Sequence, residues 1–274
     1  MTEQNNSQAA PPAVSPVSSV AVDQAAPTAA ANTPVPLDEA AAKAAAQAKK
    51  AAAAQAALDE KMAMAWAHTA RFFTTASEIH HLQVTELPEI AFVGRSNAGK
   101  STAINTLTDH KRLAFASKTP GRTQHINLFE IGPKLGADAY FADLPGYGYA
   151  AVARGAKQRW QKVMADYLEV RRSLTGVVLM LDSRLGFTDL DKQLLAFVAP
   201  RLANGSVKLL VLLTKSDKLN RRDADAALRQ AEQVLAGIAT DESDIAISLF
   251  SALKKKGVSE AALTLHGWVH PASK

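Results

Sequence analysis

The stretch GRSNAGKS, Gly94 to Ser101, sets two glycines ahead of a lysine and a hydroxyl in the pattern G-x-x-x-x-G-K-[ST]. Glycines at that spacing let the main chain curl until successive N–H groups face a chain of phosphates, and a helix opening behind them adds a favourable dipole. Lys100 is placed to reach the β- and γ-phosphates, and Ser101 to ligate Mg2+. A second contact to the metal is expected from Asp143, which ends the apolar run AYFAD and opens D-x-x-G. The glycine of that motif, Gly146, has no side chain to keep its N–H away from a γ-phosphate.

Two further strand ends carry groups suited to a purine. TKSD, Thr214 to Asp217, closes a strongly apolar run. A carboxylate at Asp217 can accept from the N1–H and the 2-amino group of guanine, which adenine does not offer, while Lys215 can lay its stem over the ring. SAL, Ser251 to Leu253, closes the next run, where the Ala252 N–H could donate to guanine O6. Between these sites lies SKTPGRTQ, Ser117 to Gln124, a Pro-Gly loop in which Thr119 and Thr123 are both candidates to bind Mg2+ and sense the γ-phosphate. Singly, each fragment has a plain reading as a glycine turn or a strand-end aspartate. Their order and spacing behind a phosphate loop make that reading poor.

The elements that must position these residues are written in alternating apolar runs and amphipathic stretches. Strands are expected at 89–94, 126–131, 139–143, 176–182, 207–215 and 245–250, with helices after the phosphate loop and near 156–172, 189–203, 222–238 and 257–268. Continuous apolar strands separated by helices imply a mostly parallel sheet, here six-stranded, covered on both faces. Ligands of such sheets bind at the carboxyl ends of the strands, where the motifs lie.

Composition narrows the alternatives. The 274 residues include no cysteine, which excludes disulfides and thiol chemistry, and no apolar run reaches the roughly 20 residues that span a bilayer. A soluble cytoplasmic protein is expected, without a membrane partner. Residues 1–70 carry four Lys against six acidic groups, net −2, leaving +7 of the total +5 to the remainder. A basic domain suits a polyanionic partner, although a solvated basic surface explains it equally well. Residues 1–36, rich in Ala, Pro and Ser, are expected to be disordered, and the Ala-rich stretch from Asp38 to be an exposed helix, so that 1–70 form a tail and 71–274 the globular domain. His80 and His81 point about 100° apart on a helix and make a poor metal pair.

Taken together, PEIAFVGRSNAGKSTAINTLT, KTPGRTQHINLF, FADLPGYGYA, LMLDSRLGFTDLD, LLTKSDKLN and LFSALKKKG resemble the EngB GTPases of bacteria, also called YihA or YsxC, in the TrmE-Era branch. The resemblance runs from about Phe72 to Trp268 and leaves out the tail. It implies a Ras-like α/β domain that binds GTP and GDP with Mg2+ and hydrolyses GTP to GDP and phosphate. It further implies a monomer acting on the large ribosomal subunit or its rRNA precursor, linked to cell division and septation.

Carried over by position, the resemblance assigns phosphate contacts to Gly94, Arg95, Ser96, Asn97, Ala98 and Gly99 with Lys100 and Ser101. The two switch segments would be Gly121, Arg122, Thr123, Gln124 and His125, and Asp143, Leu144, Pro145 and Gly146. Around the base it places Thr214, Lys215, Ser216 and Asp217 with Phe250, Ser251 and Ala252. Mg2+ would fall to Ser101, Asp143 and Thr123, the GRTQ pattern favouring Thr123 over Thr119, and catalysis to Lys100, Thr123 and Gly146. Thr214 stands where the general N-K-x-D motif has Asn, in this family's own form.

Tyr147 follows Gly146 where Ras-type enzymes carry the Gln that orients the attacking water, so slow intrinsic hydrolysis is expected. Asn97 stands where some TrmE-branch relatives bind K+; that role and a loop-shaping role both remain open. Tyr147 and Tyr149 beside Arg154, Lys157 and Arg159 form a candidate RNA-docking surface, stacking aromatics next to cations. A P-loop ATPase or nucleoside kinase is the competing enzyme reading, opposed by Asp217. A nucleotide-gated RNA scaffold with negligible turnover is the other.

Overall fold

The computed structural model describes residues 39–115, 125–148 and 154–271, and side chains from 41 onward except those of 154–161. The chain divides into two compact units, 1–47 and 48–274, and the second holds every strand described below. The expected disorder of 1–36 lies outside the described residues. So do Thr119, Gly121, Arg122, Thr123 and Gln124, both candidate threonines among them, and Tyr149.

The elements run α1 (Glu39–Ala67), β1 (Arg71–Ala76), β2 (Glu89–Gly94), α2 (Lys100–Leu107), β3 (Ile126–Ile131), β4 (Ala139–Asp143) and α3 (Arg154–Val170). They continue with β5 (Leu174–Asp182), α4 (Asp189–Ala203), β6 (Lys208–Thr214), α5 (Arg221–Ala236), β7 (Ile245–Leu249) and α6 (Val258–Val269). The sheet has seven strands, in the order β1-β3-β4-β2-β5-β6-β7, one more than expected. From β4 to β7 neighbouring strands are parallel, whereas β3 is antiparallel to both β4 and β1. The extra strand, β1, reads RFFTTA, and its register slips between Phe72 and Thr74. An edge strand pairs on one side only and needs neither a continuous apolar run nor clean alternation, so its sequence signal is weak.

Every residue of β2 is buried, and successive side chains enter opposite cores. Ala91 and Val93 join Leu179, Val211, Tyr167, Leu168 and Val198 on the face covered by α3, α4 and α5. Ile90 and Phe92 join Met180, Leu212, Ile104 and Leu265 on the face covered by α2 and α6. This two-sided burial is what continuous Val/Ile/Leu runs encode. The second core also takes in Ala63, Trp66, Ala67 and Ala70, all upstream of the expected domain start. Trp66 packs edge-on against Phe141 and donates its indole N–H to Asp138 Oδ1 at 2.9 Å. A single tryptophan closing an alanine helix gives no periodic signature, so this anchor is not visible as a pattern.

At the amino end of β2, away from the motifs, Glu89 is wholly buried. It accepts from the Tyr167 hydroxyl at 2.5 Å and from the Arg171 guanidinium at 2.5–3.1 Å. Removing one partner of such a pair strands the other's charge in the core, which costs about 3–5 kcal/mol. Glu89→Ala is therefore expected to lose that much unfolding free energy in a urea titration; a loss below about 1 kcal/mol would contradict the assignment.

His266 lies edge-on to Trp66 and stacked on His270. Burial first, and the neighbouring His270 second, push its pKa below the usual 6.5. The unfolded chain therefore takes up this proton first as pH falls. Stability from this group is complete above pH 6.5 and declines below it, and His266→Gln is expected to flatten that decline in thermal melts from pH 7 to 5.

Candidate functional site

The phosphate-loop residues form a tight curl between β2 and α2. Asn97 has φ 68° and Gly99 has φ 96°, two left-handed residues within three, and Gly99 caps the helix that begins at Lys100. Such a curl turns consecutive N–H groups inward, a concavity suited to an anion. At its start, a Cβ on Gly94 would stand 2.7 Å from the Met180 carbonyl of β5, so only glycine lets the two strands approach this closely.

Lys100, 7% exposed, forms an ion pair with Asp143, 0% exposed, across the paired ends of β2 and β4. The second carboxylate oxygen of Asp143, Oδ2, is buried without a hydrogen-bond partner among the described residues. An unspent buried carboxylate oxygen with the partly exposed Ser101 next to the lysine fits a hard divalent cation such as Mg2+. Leu144 and Pro145 are buried behind Asp143. Gly146 lies so close to the phosphate loop that a Cβ would sit 3.2 Å from the Ser96 backbone.

Tyr147 departs from expectation. Its main chain is laced to the phosphate loop, donating to the Gly94 carbonyl at 3.3 Å and accepting from Ser96 N–H at 2.7 Å. Its side chain is 2% exposed and its hydroxyl donates to Asp191 Oδ1. Burial, reinforced by Asp191, holds the phenol pKa well above its usual value, so it stays protonated. A ring enclosed in this way cannot stack on RNA, which removes Tyr147 from the expected docking surface; the side chains of Arg154, Lys157 and Arg159 lie outside the described set. His125, just before β3, is exposed.

The base-side loops meet the phosphate loop from behind. The Thr214 hydroxyl is shared between the Ala98 carbonyl at 2.6 Å and the Leu181 carbonyl at 2.9 Å. Lys215, at φ 58°, donates from Nζ to the Asn97 carbonyl at 2.7 Å and to Asp182 Oδ2 at 2.9 Å. Asp217 accepts from Ser251 Oγ at 2.7 Å, the bond that chiefly lowers its pKa and keeps it ionised. Ser216 N–H donates to the carbonyl of buried Phe250, and Ala252 lies partly buried beside them. The structure thus gathers Gly94–Ser101, Asp143–Gly146, Thr214–Asp217 and Phe250–Ala252 at the carboxyl edge of the sheet.

Curated relatives share most of this chain. A probable GTP-binding protein EngB of Acidovorax ebreus (strain TPSY) is 58% identical over 211 residues, covering 77% of this chain and 93% of the relative. The corresponding protein of Polaromonas sp. is 56% identical over 223 residues, covering 81% and 88%. The chain belongs to the EngB family of GTPases. In addition, the family described as "50S ribosome-binding GTPase" matches residues 89–215. The fold is also that of Aquifex aeolicus Era in a crystal structure with GDP and AlF4−, at 21% identity and a TM-score of 0.53, covering 69% of this chain and 59% of that one.

Within this EngB domain, sequence reasoning missed two residues next to the site. Asp182 ends β5 and is clamped by Arg184, whose Nε and Nη2 donate at 2.9 and 2.6 Å. A cavity of about 220 Å3 lies against the loop, with Arg95, Asn97, Asp182, Thr188, Asp191 and Lys215 in its wall. The signal was available in Asp182, a carboxylate closing an apolar strand as Asp143 does. Thr214→Val removes the shared hydroxyl at nearly constant volume and leaves two buried carbonyls short of a donor. It is expected to destabilise the fold by about 1–3 kcal/mol in thermal denaturation and to weaken GDP binding in a titration.

Proposed function

We propose that the protein is a GTP-dependent switch that binds GTP with Mg2+, hydrolyses it slowly, and acts on the large ribosomal subunit or its rRNA precursor. The observation that carries this reading is the convergence of two recognition chemistries on one sheet edge: the curl with Lys100 and Asp143 for a metal-bound polyphosphate, and Asp217 held by Ser251 for the guanine edge. An ATPase has no use for the second, and Asp217 likewise opposes a nucleoside kinase that draws its phosphate from ATP.

In this reading the N–H groups of 94–101 and the Lys100 ammonium bind the β- and γ-phosphates, while Asp143 and Ser101, with Thr123, hold the metal. Bound there, Mg2+ supplies neutralisation of charge on the phosphate oxygens. Gly146 N–H turns toward the γ-phosphate. Water attacks that phosphorus, and GDP leaves. No side-chain amide stands after Gly146 to orient the water, and the Tyr147 hydroxyl is committed to Asp191. Trans-acting groups at comparable sites raise rates by about 10³–10⁵, so a partner on the ribosome is the expected accelerator. K+ at Asn97 is a further source of acceleration.

The family described as a 50S ribosome-binding GTPase supports the large subunit as partner; the role in normal cell division and septation is what the resemblance to EngB GTPases implies. No described helix is long and apolar enough to cross a membrane; the proposal takes the protein as a cytoplasmic monomer. The catalytic unit is assigned to 71–274 together with the Trp66 turn, and the Ala/Pro-rich segment before it to a spacer.

Sedimentation of the protein with ribosomal subunits, loaded with GDP or a non-hydrolysable GTP analogue, tests the proposal. Co-migration with the large subunit is expected only with the analogue. Equal migration in both states would remove the switch. Turnover measured alone in K+ and in Na+ is expected to be slow in both and faster in K+; equal rates would remove the cation. A variant that binds GTP without hydrolysing it should stay on the particle, whereas normal release would favour a scaffold without turnover.

A further inference from the structure

We infer that Asp182 is a positioning residue for guanine-nucleotide affinity, acting through Lys215. This rests on the reading of Thr214–Asp217 as the guanine site. Asp182 and Thr214 are register partners on β5 and β6, so Lys215 is the first residue beyond the paired ends. A lysine rarely adopts the left-handed conformation seen there, and it persists only where surrounding bonds hold it. Besides the Lys218 N–H donated to the Lys215 carbonyl at 2.9 Å, those bonds are made by its own ammonium, to the Asn97 carbonyl in the phosphate loop and to Asp182. The methylene stem is thereby stretched from the end of β6 to the phosphate loop, forming one wall of the place a guanine ring would occupy between that loop and Asp217.

Asp182 is built to hold its end of this link. It is 9% exposed, and Arg184 grips it with Nε, Nη2 and the backbone N–H. The carboxylate cannot rotate away from Lys215 without breaking these contacts. The bonds from Arg184, and after them that from Lys215, hold its pKa far below the usual carboxylate range, so the charge is present at every pH at which the protein works. A strand-end aspartate serving only to finish β5 would need the Arg184 N–H and nothing more. Instead this one spans two cations, one exposed and one reaching into the site.

The test is a set of binding titrations on the full chain with GDP and with IDP, which lacks the 2-amino group. Asp182→Asn is expected to weaken both by the same factor, about 10-fold, because Lys215 touches the face of the ring and not its edge. Asp217→Asn is expected to weaken GDP more than IDP. Lys215→Ala should cost about as much as Asp182→Asn, and the double variant no more than about twofold beyond Lys215→Ala alone. Arg184→Ala, at an exposed position that does not endanger folding, should give a smaller loss of the same pattern. Additive losses in the double variant, unequal losses of GDP and IDP in Asp182→Asn, or unchanged affinity would each overturn the inference. Should Lys215→Ala weaken GDP while Asp182→Asn does not, the guanine site stands and Asp182 alone is excluded. A wild-type chain that ignores both nucleotides overturns the site and the inference together.

Discussion

The rest of the site answers to a buried lysine set against a buried aspartate at the ends of two adjacent parallel strands. Phe92 and Asp143 are register partners, so the turn out of β2 carries Lys100 back over the end of β4. Taking either charge out of water alone would cost several kcal/mol, and each is tolerated because the other is there. The match is deliberately incomplete, since Asp143 Oδ2 has no partner among the described residues. In the function proposed above, a polyphosphate with a divalent cation would redistribute the same charges, lysine to phosphate and aspartate to metal. The pair therefore holds the loop in place and, in the proposed function, would be a template for what the loop receives.

Holding that loop requires support from behind, and the support comes from the base-recognition segment. Thr214 ties to Ala98, Lys215 ties to Asn97, and Ser216 ties through its main chain to Phe250. The segments assigned to the phosphate end and to the base end are thus parts of one hydrogen-bonded frame. The residues that stabilise the sheet without touching this frame sit at its other end, where Glu89, Tyr167 and Arg171 close the amino terminus of β2. Stability and binding draw on opposite ends of the same strands.

Much of this was legible from residue types and order, because the strands that carry the site are the central ones. Strands buried on both faces must be continuously apolar, which is why β2, β5 and β6 were read close to their observed limits. What escaped reading is what depends on a partner distant in sequence. β1 acquires its identity only from pairing with β3, and Trp66 from Phe141 and Asp138. Asp182 was visible as a strand-end carboxylate, but its link to the site runs through Lys215, 33 positions later. Local pattern reports which face a residue turns to the core; it carries no record of which distant side chain will meet it there.

Tyr147 shows the same limit acting on function. From position alone it is a missing glutamine and an available aromatic, and both readings treat the side chain as facing outward. In the structure the ring is packed in the core and its hydroxyl reaches Asp191, whose other oxygen accepts from Thr188 N–H and hydroxyl to cap α4. Movement of Gly146 toward a γ-phosphate must therefore either carry this buried link along or break it, and breaking it would strand a buried carboxylate. Where a water-orienting amide would face outward, the position instead attaches the turn after β4 to α4. In the function proposed above, slow hydrolysis by the lone protein and transmission of nucleotide state into the helix layer would have one cause, the direction in which a single side chain is tethered.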